Sequence, residues 1–460
     1  MVSVVKLLRQ AIRSRRAGPF LRGPLAAILL LIVPLAAAAG SYWTGRIGAR
    51  EARPYAYPFE RPERGSVRRA LEAEIAFYQA RLARNPGGGL DLAALAGAYL
   101  RMARATGDLA WYLLAEQTAQ RSLAHLPLDN AAALLALARV AEARHDFAEA
   151  IRLARRAGDD GEALSILVTS HLARGDVDEA ARAAAILVHR VPGLASHALS
   201  ALVAEAQGKD DVAFAALGRA IAAEEPGEAG SSAWARTLLG RLHYRRGRLA
   251  QARDLYREAL RILPQYPLAL VNLAELEMRQ GRYRSAERYI GRVATITRAS
   301  PNVYDHAVLR GLARLHELQG NQARAAALWA EAEARLRRDV TTGQFGHRRE
   351  LARLLLERGR PQDVPEAVAL MEAEARVRQD AETLEVYARA LAGAGRWGEA
   401  RRAIARALHA GIRDARLFYR AATIAQALGH DREAQRLFGL MRQTDPTFDE
   451  QARRILGVEP

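Results

Sequence analysis

The chain has 460 residues, half of them hydrophobic, with a net charge of +17 and no cysteine. The hydrophobic share excludes an intrinsically disordered protein, and the absence of cysteine excludes disulfides, thiolate metal sites and thiol nucleophiles. A basic balance can indicate nucleic acid, anionic lipid or an acidic partner. Outside the N-terminal segment the basic residues form no runs, which favours a mixed charged surface.

The N-terminus is the first element with a clear pattern. Residues 1–22 are basic and contain no acid, whereas residues 23–45 carry no charge and are long enough to cross a bilayer. Tyr42 and Trp43 stand where interfacial aromatic residues occur, and the positive-inside rule places the basic segment in the cytoplasm. This pattern predicts a single-pass cell-membrane protein whose remainder is periplasmic or on the cell surface. A signal peptide cleaved near residues 37–39 is the alternative, and a buried core helix is a third interpretation.

Two short elements follow the apolar segment. Residues 46–65 alternate prolines with aromatic residues, which disfavours a helix and predicts an extended linker. The aromatic residues could instead pack on the first helix of the domain. Residues 66–89 are predicted to form an N-terminal capping helix, because apolar residues recur there at helical spacing and a glycine-rich stretch ends the pattern.

The stretch 233–264 is the clearest pattern in the chain. It predicts two amphipathic helices joined by a turn at Gly247 and closed by Pro264. Gly240 lies inside the first helix, where glycine costs about 1 kcal/mol relative to alanine. We therefore expect a partner helix so close to Gly240 that a larger side chain would not fit.

The same pattern recurs along residues 90–446 with separations of 30 to 41 residues. The ten units start at Leu90, Ala131, Gly161, Leu194, Ala233, Pro267, His306, Phe345, Ala381 and Ala415. Every second helix carries an alanine early in its sequence, at Ala115, Ala150, Ala180, Ala213, Ala252, Ala286, Ala325, Ala367, Ala400 and Ala434. The first helices carry a small residue at a matching position in nine units and Val168 in the third. Most turns contain glycine, but the second unit has His145 there.

This arrangement resembles the tetratricopeptide repeat. The resemblance is carried by Leu239, Gly240, Gly247, Ala252, Tyr256, Ala259 and Pro264. It implies an all-α solenoid of about ten helix-turn-helix units over residues 90–446, preceded by one transmembrane helix. Residues 447–460 are predicted to form a C-terminal capping helix, which a repeat array needs to cover its last apolar face.

The search for catalytic and cofactor motifs gives no supported site. The run from Gly393 to Gly398 matches GxGxxG, but a helix precedes it and Gly395 is a turn glycine of the repeat. His316 and Glu317 begin like a zinc-protease motif that lacks its second histidine. We therefore predict a protein that is not an enzyme and that has no catalytic, cofactor or metal residues. Nucleic acid is not an expected partner, because no recognition module is present.

The resemblance also suggests where a partner would bind. In the tetratricopeptide family the first helices line a concave groove, and the matching positions here are rich in arginine. The predicted partner-binding residues are Arg139, Trp234, Arg241, Tyr244, Arg310, Arg314, Arg349, Arg353, Arg389 and Tyr419. Guanidinium groups on consecutive helices could bind carboxylates of a peptide. Alternatively, these arginines pair with glutamates of the same surface, such as Glu142, Glu275, Glu317 and Glu385.

From these observations we predict a membrane-tethered scaffold that binds other proteins or peptides in a cell-envelope complex. The alternative is an envelope export or assembly subunit whose arginine-rich groove binds an anionic polymer or an acidic segment. Steep weakening of binding by salt would favour the polymer.

Overall fold

The structure is a computed structural model that describes residues 55–63, 65–298, 302–342 and 347–458. The chain divides into Met1–Ala56, of which only the last two residues are described, and Tyr57–Pro460. The predicted cytoplasmic segment 1–22 and the apolar segment 23–45 therefore lie outside the described residues. All of the helices among these described residues belong to the second unit.

The predicted localisation needs correction. Among the residues described, no helix combines the length and the apolar character needed to cross a membrane. This finding contradicts the prediction of a single-pass membrane protein.

The described part of Tyr57–Pro460 is all-helical, which confirms the predicted all-α class. Apart from one isolated bridge between Asp108 and Asn302, it contains no extended pairing. Its helices are α1 (Ser66–Arg84), α2 (Gly89–Thr106), α3 (Ala110–His125), α4 (Ala131–Ala143), α5 (Phe147–Ala157), α6 (Gly161–Arg174), α7 (Val177–Arg190), α8 (Leu194–Ala206), α9 (Asp210–Ala222), α10 (Ala229–Arg245), α11 (Leu249–Ile262), α12 (Pro267–Arg279), α13 (Tyr283–Thr297), α14 (Asp305–Leu318), α15 (Gln322–Thr342), α16 (Arg348–Arg358), α17 (Val364–Glu374), α18 (Ala381–Gly393), α19 (Trp397–Leu408), α20 (Ala415–Ala427), α21 (Asp431–Thr444) and α22 (Glu450–Leu456).

Helices α2 to α21 pack as ten consecutive hairpins, each formed by an even-numbered helix and the helix that follows it. Each hairpin also contacts the next one, so the ten units form a stack. The first helices begin within four residues of the unit starts expected from the sequence. Proline, asparagine or aspartate marks several of these starts.

Small residues form the interfaces inside the hairpins. All ten early alanines of the second helices are buried, with at most 3% of their surface exposed. A Cβ added to Gly240 would lie 2.6 Å from Cε1 of Tyr256 on the opposing helix. This close approach accounts for the glycine inside α10, and the apolar side chains around it supply the stabilising burial.

The turns inside the hairpins use residues in the left-handed region. Gly247 between α10 and α11 has φ of 70°, and glycine adopts this conformation without the steric cost of a Cβ. In the second hairpin His145 takes the same conformation with φ of 61°. Its ring lies 3.0 Å from the buried carboxylate of Glu374, so a tertiary contact accompanies the unfavourable backbone.

The segment after residue 56 packs on the middle of the stack. Tyr57 is buried against Ala233, Ala259 and Ile262 of α10 and α11, with Phe59 beside it. The backbone N–H of Tyr57 donates to Glu258 at 3.1 Å. The sequence suggested the first helix of the domain as the alternative packing site, and the structure places these two aromatic residues on the fifth hairpin instead.

Turns of early hairpins contact connections that come much later in the chain. The amides of Gln379 and Asp380, before α18, donate to the carbonyl of Ala173 near the end of α6 at 2.8 and 3.1 Å. The turn glycine Gly208 lies against the carbonyl of Gly411, before α20.

Similar contacts join Gly107 to Val303, His145 to Glu374, and Arg279 to Asp445. Contacts of this kind bring successive turns of the coiled stack together and enclose the faces of the first helices.

The last helix, α22, lies against α12 rather than only against its sequence neighbours. Ile455 is buried in an apolar cluster with Met278, Ala286 and Leu315. An N-cap at Asp449 begins the helix, and Gly457 in the left-handed region ends it.

Candidate partner-binding cavity

The first helices of the fifth to tenth hairpins surround a cavity of about 200 Å³. Five of the ten residues predicted to bind a partner line this cavity: Arg241, Tyr244, Arg310, Arg353 and Arg389. They come together because matching positions of stacked first helices face the same side. A second, more apolar cavity of about 340 Å³ adjoins it and shares Arg241 and Arg245 in its lining.

The charges around the first cavity are nearly balanced, with seven arginines facing six carboxylates. Arg353 donates to Glu382 at 2.7 Å, and Arg310 donates to Glu357 at 2.9 Å. Burial alone would raise the pKa of Glu382, but Arg349 and Arg353 hold it well below its usual range. These carboxylates are therefore ionised at neutral pH and neutralise the arginines beside them.

Contacts within, between neighbouring and between distant hairpins complete the charged lining of the two cavities. Arg245 pairs with Glu205 at 2.6 Å and approaches Asp414 to 3.8 Å, while Arg416 pairs with Asp414 at 3.1 Å. Burial alone would raise the pKa of Asp414, yet Arg416 and Arg245 outweigh it and hold the pKa at about 2.

Arg241 differs from these neighbours. It forms no ion pair within the described part of the chain, although it lines both cavities. Burial and the adjacent Arg245 lower the pKa of Arg241 below its usual range. Its guanidinium group can therefore take a further acceptor without first breaking an ion pair of its own.

One wall of the cavity is formed by Leu456, Gly457 and Val458, which follow or end α22. Arg389 donates to the carbonyl of Gly457, and Arg420 donates to the carbonyl of Val458 at 2.8 Å. Burial and the neighbouring Arg420 lower the pKa of Arg389 to about 10.

The other five predicted residues lie elsewhere. Arg139 pairs with Glu142 at 2.8 Å in the second hairpin. Trp234 packs against apolar clusters of the third to fifth hairpins. Neither side chain contributes to the lining of the first cavity.

Arg314 pairs with Glu317 and stacks over Trp329, and Arg349 pairs with Glu350 at 2.7 Å. Tyr419 packs on Phe438 and Phe448. The intramolecular pairing that the sequence left open as an alternative is thus present for Arg139 and Arg314. Their role in partner binding stays a prediction.

Sequence reasoning named two of the six acidic residues of the cavity lining, Glu275 and Glu385, as pairing partners of the arginines and missed the other four. Asp414 and Asp445 belong to hairpins distant from Arg245 and Arg279, and no local pattern brings them to these arginines. Glu382 could have been found, because it lies on the same first helix as Arg389, at helical spacing from it.

Comparisons with known proteins agree with the repeat architecture. A family model described as "Tetratricopeptide repeat" matches residues 243–305. No match was found among curated proteins.

Three solved structures are similar to this chain. MamA is 15% identical, with 38% of this chain and 97% of that chain covered and a TM-score of 0.31. A monomeric mutant of IFIT1 with Gppp-AAAA is 14% identical, with 81% and 67% covered and a TM-score of 0.35. A tetratricopeptide repeat protein from Parabacteroides merdae ATCC 43184 is 16% identical, with 61% and 98% covered and a TM-score of 0.34. Similarity at this level carries no argument about partners.

The family match covers the end of α10, where the Gly247 turn begins, and extends through α13. The matched residues lie within a stack of ten hairpins, whose second helices all bury an early alanine. Residues 243–305 therefore match the tetratricopeptide repeat, and the other hairpins of the stack have the same helix-turn-helix form.

Proposed function

We propose that this protein is a non-catalytic interaction scaffold that binds a peptide segment of another protein in the cavity of the first helices. Tetratricopeptide repeats suggest an interaction scaffold in general. The observation that carries the specific proposal is the convergence of Arg241, Tyr244, Arg310, Arg353 and Arg389 on one cavity. Backbone and side-chain acceptors of a peptide suit such a lining, which offers many donors and few apolar surfaces.

An anionic polymer is the weaker candidate. Six carboxylates stand among the seven arginines of the cavity, so a polyanion would meet almost as much repulsion as attraction. Binding a polymer phosphate or carboxylate would also break ion pairs such as Arg353–Glu382. A peptide that carries charges of both signs avoids both costs.

The proposal can be tested by replacing Asn272, an uncharged residue of the cavity lining, with a photoreactive amino acid. Arg182 is the matched control position, because its side chain is 63% exposed on α7. We expect a protein to be crosslinked from position 272 and not from position 182. Equal capture at both positions, or capture of a polyanion, would contradict the proposal.

The crosslinked protein then allows a quantitative test. The variant Arg241→Gln should bind it at least tenfold more weakly, because it loses the guanidinium group that has no ion pair in the described structure. The variant Arg182→Gln should bind like the unchanged protein. Calorimetric titration measures both, and unchanged binding by Arg241→Gln would place the contact elsewhere.

A further inference from the structure

The C-terminal segment, residues 447–458, crosses the first helices of five consecutive hairpins. Ile455 packs on Met278 of α12 and Leu315 of α14. Gly457 lies against Glu357 of α16, and the carbonyls of Gly457 and Val458 accept hydrogen bonds from Arg389 of α18 and Arg420 of α20. One short segment thus contacts every first helix from the sixth hairpin to the tenth.

These contacts follow the pattern of a bound peptide. One aliphatic side chain, Ile455, is anchored in an apolar cluster, with 5% of its surface exposed. Arginine side chains recognise backbone carbonyls at the end of the helix, where these groups have no partner within the helix. Because carbonyls are common to all peptides, another segment of similar shape can make the same hydrogen bonds.

The position of Gly457 has little room for a side chain. Its φ is 61°, and an added Cβ would lie 2.7 to 2.8 Å from three atoms of the Glu357 side chain. A segment seated here therefore needs glycine after its aliphatic residues. The helix itself has seven residues, which is too short to be stable alone, so its conformation depends on the surface beneath it.

We propose that the C-terminal segment is an internal ligand that occupies part of the partner-binding surface. The partner that displaces it is a protein segment of the same chemistry, a short helix with consecutive aliphatic residues followed by glycine. This inference rests on the proposed peptide-binding function. It adds that the C-terminal segment covers this part of the surface until a partner displaces it. The partner then replaces Leu456, Gly457 and Val458 at the cavity wall.

Release of the segment can be measured directly because the chain contains no cysteine. Val458 is buried, with 5% of its surface exposed, so Val458→Cys provides one protected thiol. Adding Gly457→Leu should release the segment and increase the rate of thiol labelling at least tenfold. Gly429→Leu is the matched control, since Gly429 has φ of 75° but no neighbouring atom within 4 Å of an added Cβ.

A second measurement identifies the segment as a ligand. A fluorescent synthetic peptide with the sequence of residues 447–458 should bind full-length Gly457→Leu at least tenfold more tightly than the unchanged protein. Adding Arg389→Gln and Arg420→Gln should abolish that binding. Circular dichroism of each variant reports whether the helical fold is retained.

Two results would overturn the inference. One is thiol labelling that Gly457→Leu and Gly429→Leu accelerate equally, and the other is peptide binding that does not depend on release of the segment. Either result can occur while position 272 still captures a partner, in which case the proposed scaffold function remains and only the internal ligand is excluded. If position 272 captures no partner protein, that result contradicts the scaffold function instead.

Discussion

Contacts between neighbouring hairpins and contacts between distant turns are built from different chemistry. Neighbouring hairpins meet through alanine and leucine, and within a hairpin Gly240 approaches Tyr256 closely. Turns and connections that are 166 to 229 residues apart meet through polar groups, such as Arg279 with Asp445 and His145 with Glu374. Apolar contacts therefore predominate between neighbouring hairpins, which ion pairs such as Arg353–Glu382 also join. Between distant turns, hydrogen bonds and ion pairs set how the stack closes.

The difference follows from the chemical groups that each region exposes to water before it is buried by the rest of the stack. The faces between neighbouring helices are apolar, and burial stabilises them without demanding a particular orientation. Turns end helices, so they carry free backbone groups and charged caps that need partners once buried. Closure of the stack supplies those partners from the other side, for example the carbonyl of Ala173 for the amides before α18.

Breaking a distant ion pair should have the largest effect. The side chains of Arg279 and Asp445 are each 3% exposed and lie 2.6 Å apart. Replacing one member leaves the other buried without its partner, so Arg279→Met should lower the free energy of unfolding by about 3 kcal/mol. Urea unfolding measures this loss.

The double variant Arg279→Met with Asp445→Asn sharpens the same point. We expect it to be more stable than Arg279→Met alone, because the uncompensated charge is removed. Purely additive losses would show that the two side chains do not stabilise each other, and the distant contacts would then be a consequence of apolar packing alone.

A substitution at an apolar helix interface should have the next largest effect. In Gly240→Leu the new side chain collides with Tyr256 and separates α10 from α11, which should cost about 2 kcal/mol. Gly291→Leu is the control, because this exposed glycine inside α13 has no neighbouring atom within 4 Å of an added Cβ. Thermal unfolding should therefore show a lower midpoint for Gly240→Leu only. An unchanged midpoint would refute the assignment of Gly240 as a packing contact.

The smallest effect we predict for a single side chain is a pH dependence at each of two histidines. Burial lowers the pKa of His306 and of His243 to about 4, with further lowering by His347 and Arg248 respectively. The pKa of an unfolded histidine is about 6.5. Between about pH 6.5 and about pH 4 the unfolded state therefore binds more protons than the folded state, and the free energy of unfolding falls as the pH falls. From about pH 7.5 to about pH 5.5 each histidine should cost about 1 kcal/mol.

Calorimetry at the two pH values checks this expectation. The variant with His243→Gln and His306→Gln should lose less stability than the unchanged protein over the same interval. An equal loss in both proteins would assign the pH dependence to other groups. His243 lies beside Phe214 of the preceding hairpin, so the result also reports on the neighbouring interfaces.

Much of the hairpin architecture could be predicted from the sequence. Gly240 and Ala252 indicate a close helix pair, because small residues recur at helical spacing where two helices pack tightly. Position 145 is assigned to a turn even though it is histidine, because the period of the repeat fixes its place. These inferences depend on residues that lie within about one repeat of each other.

The candidate cavity could be predicted only in part. Arg241, Arg353 and Arg389 line one cavity, as expected for equivalent positions of stacked helices that share a face, and their role in partner binding stays a prediction. Trp234 and Arg139 were assigned to the same groove by the same rule, but neither side chain reaches this cavity. The carboxylates of Asp414 and Asp445 could not be predicted to line the cavity, because their partners Arg245 and Arg279 lie far away in the sequence.

By itself, the sequence determined the helical class, the ten hairpins and the small residues between their helices, since each depends on contacts within one unit or with the next. Only the tertiary structure decided which distant turns meet, which arginines are neutralised, and where residues 447–458 are seated. The physical reason is that every hairpin adds a small rotation to the stack, and closure depends on the sum of all these rotations. No single repeat contains that sum, so the position of the last helix on α12 could not be inferred from its own residues.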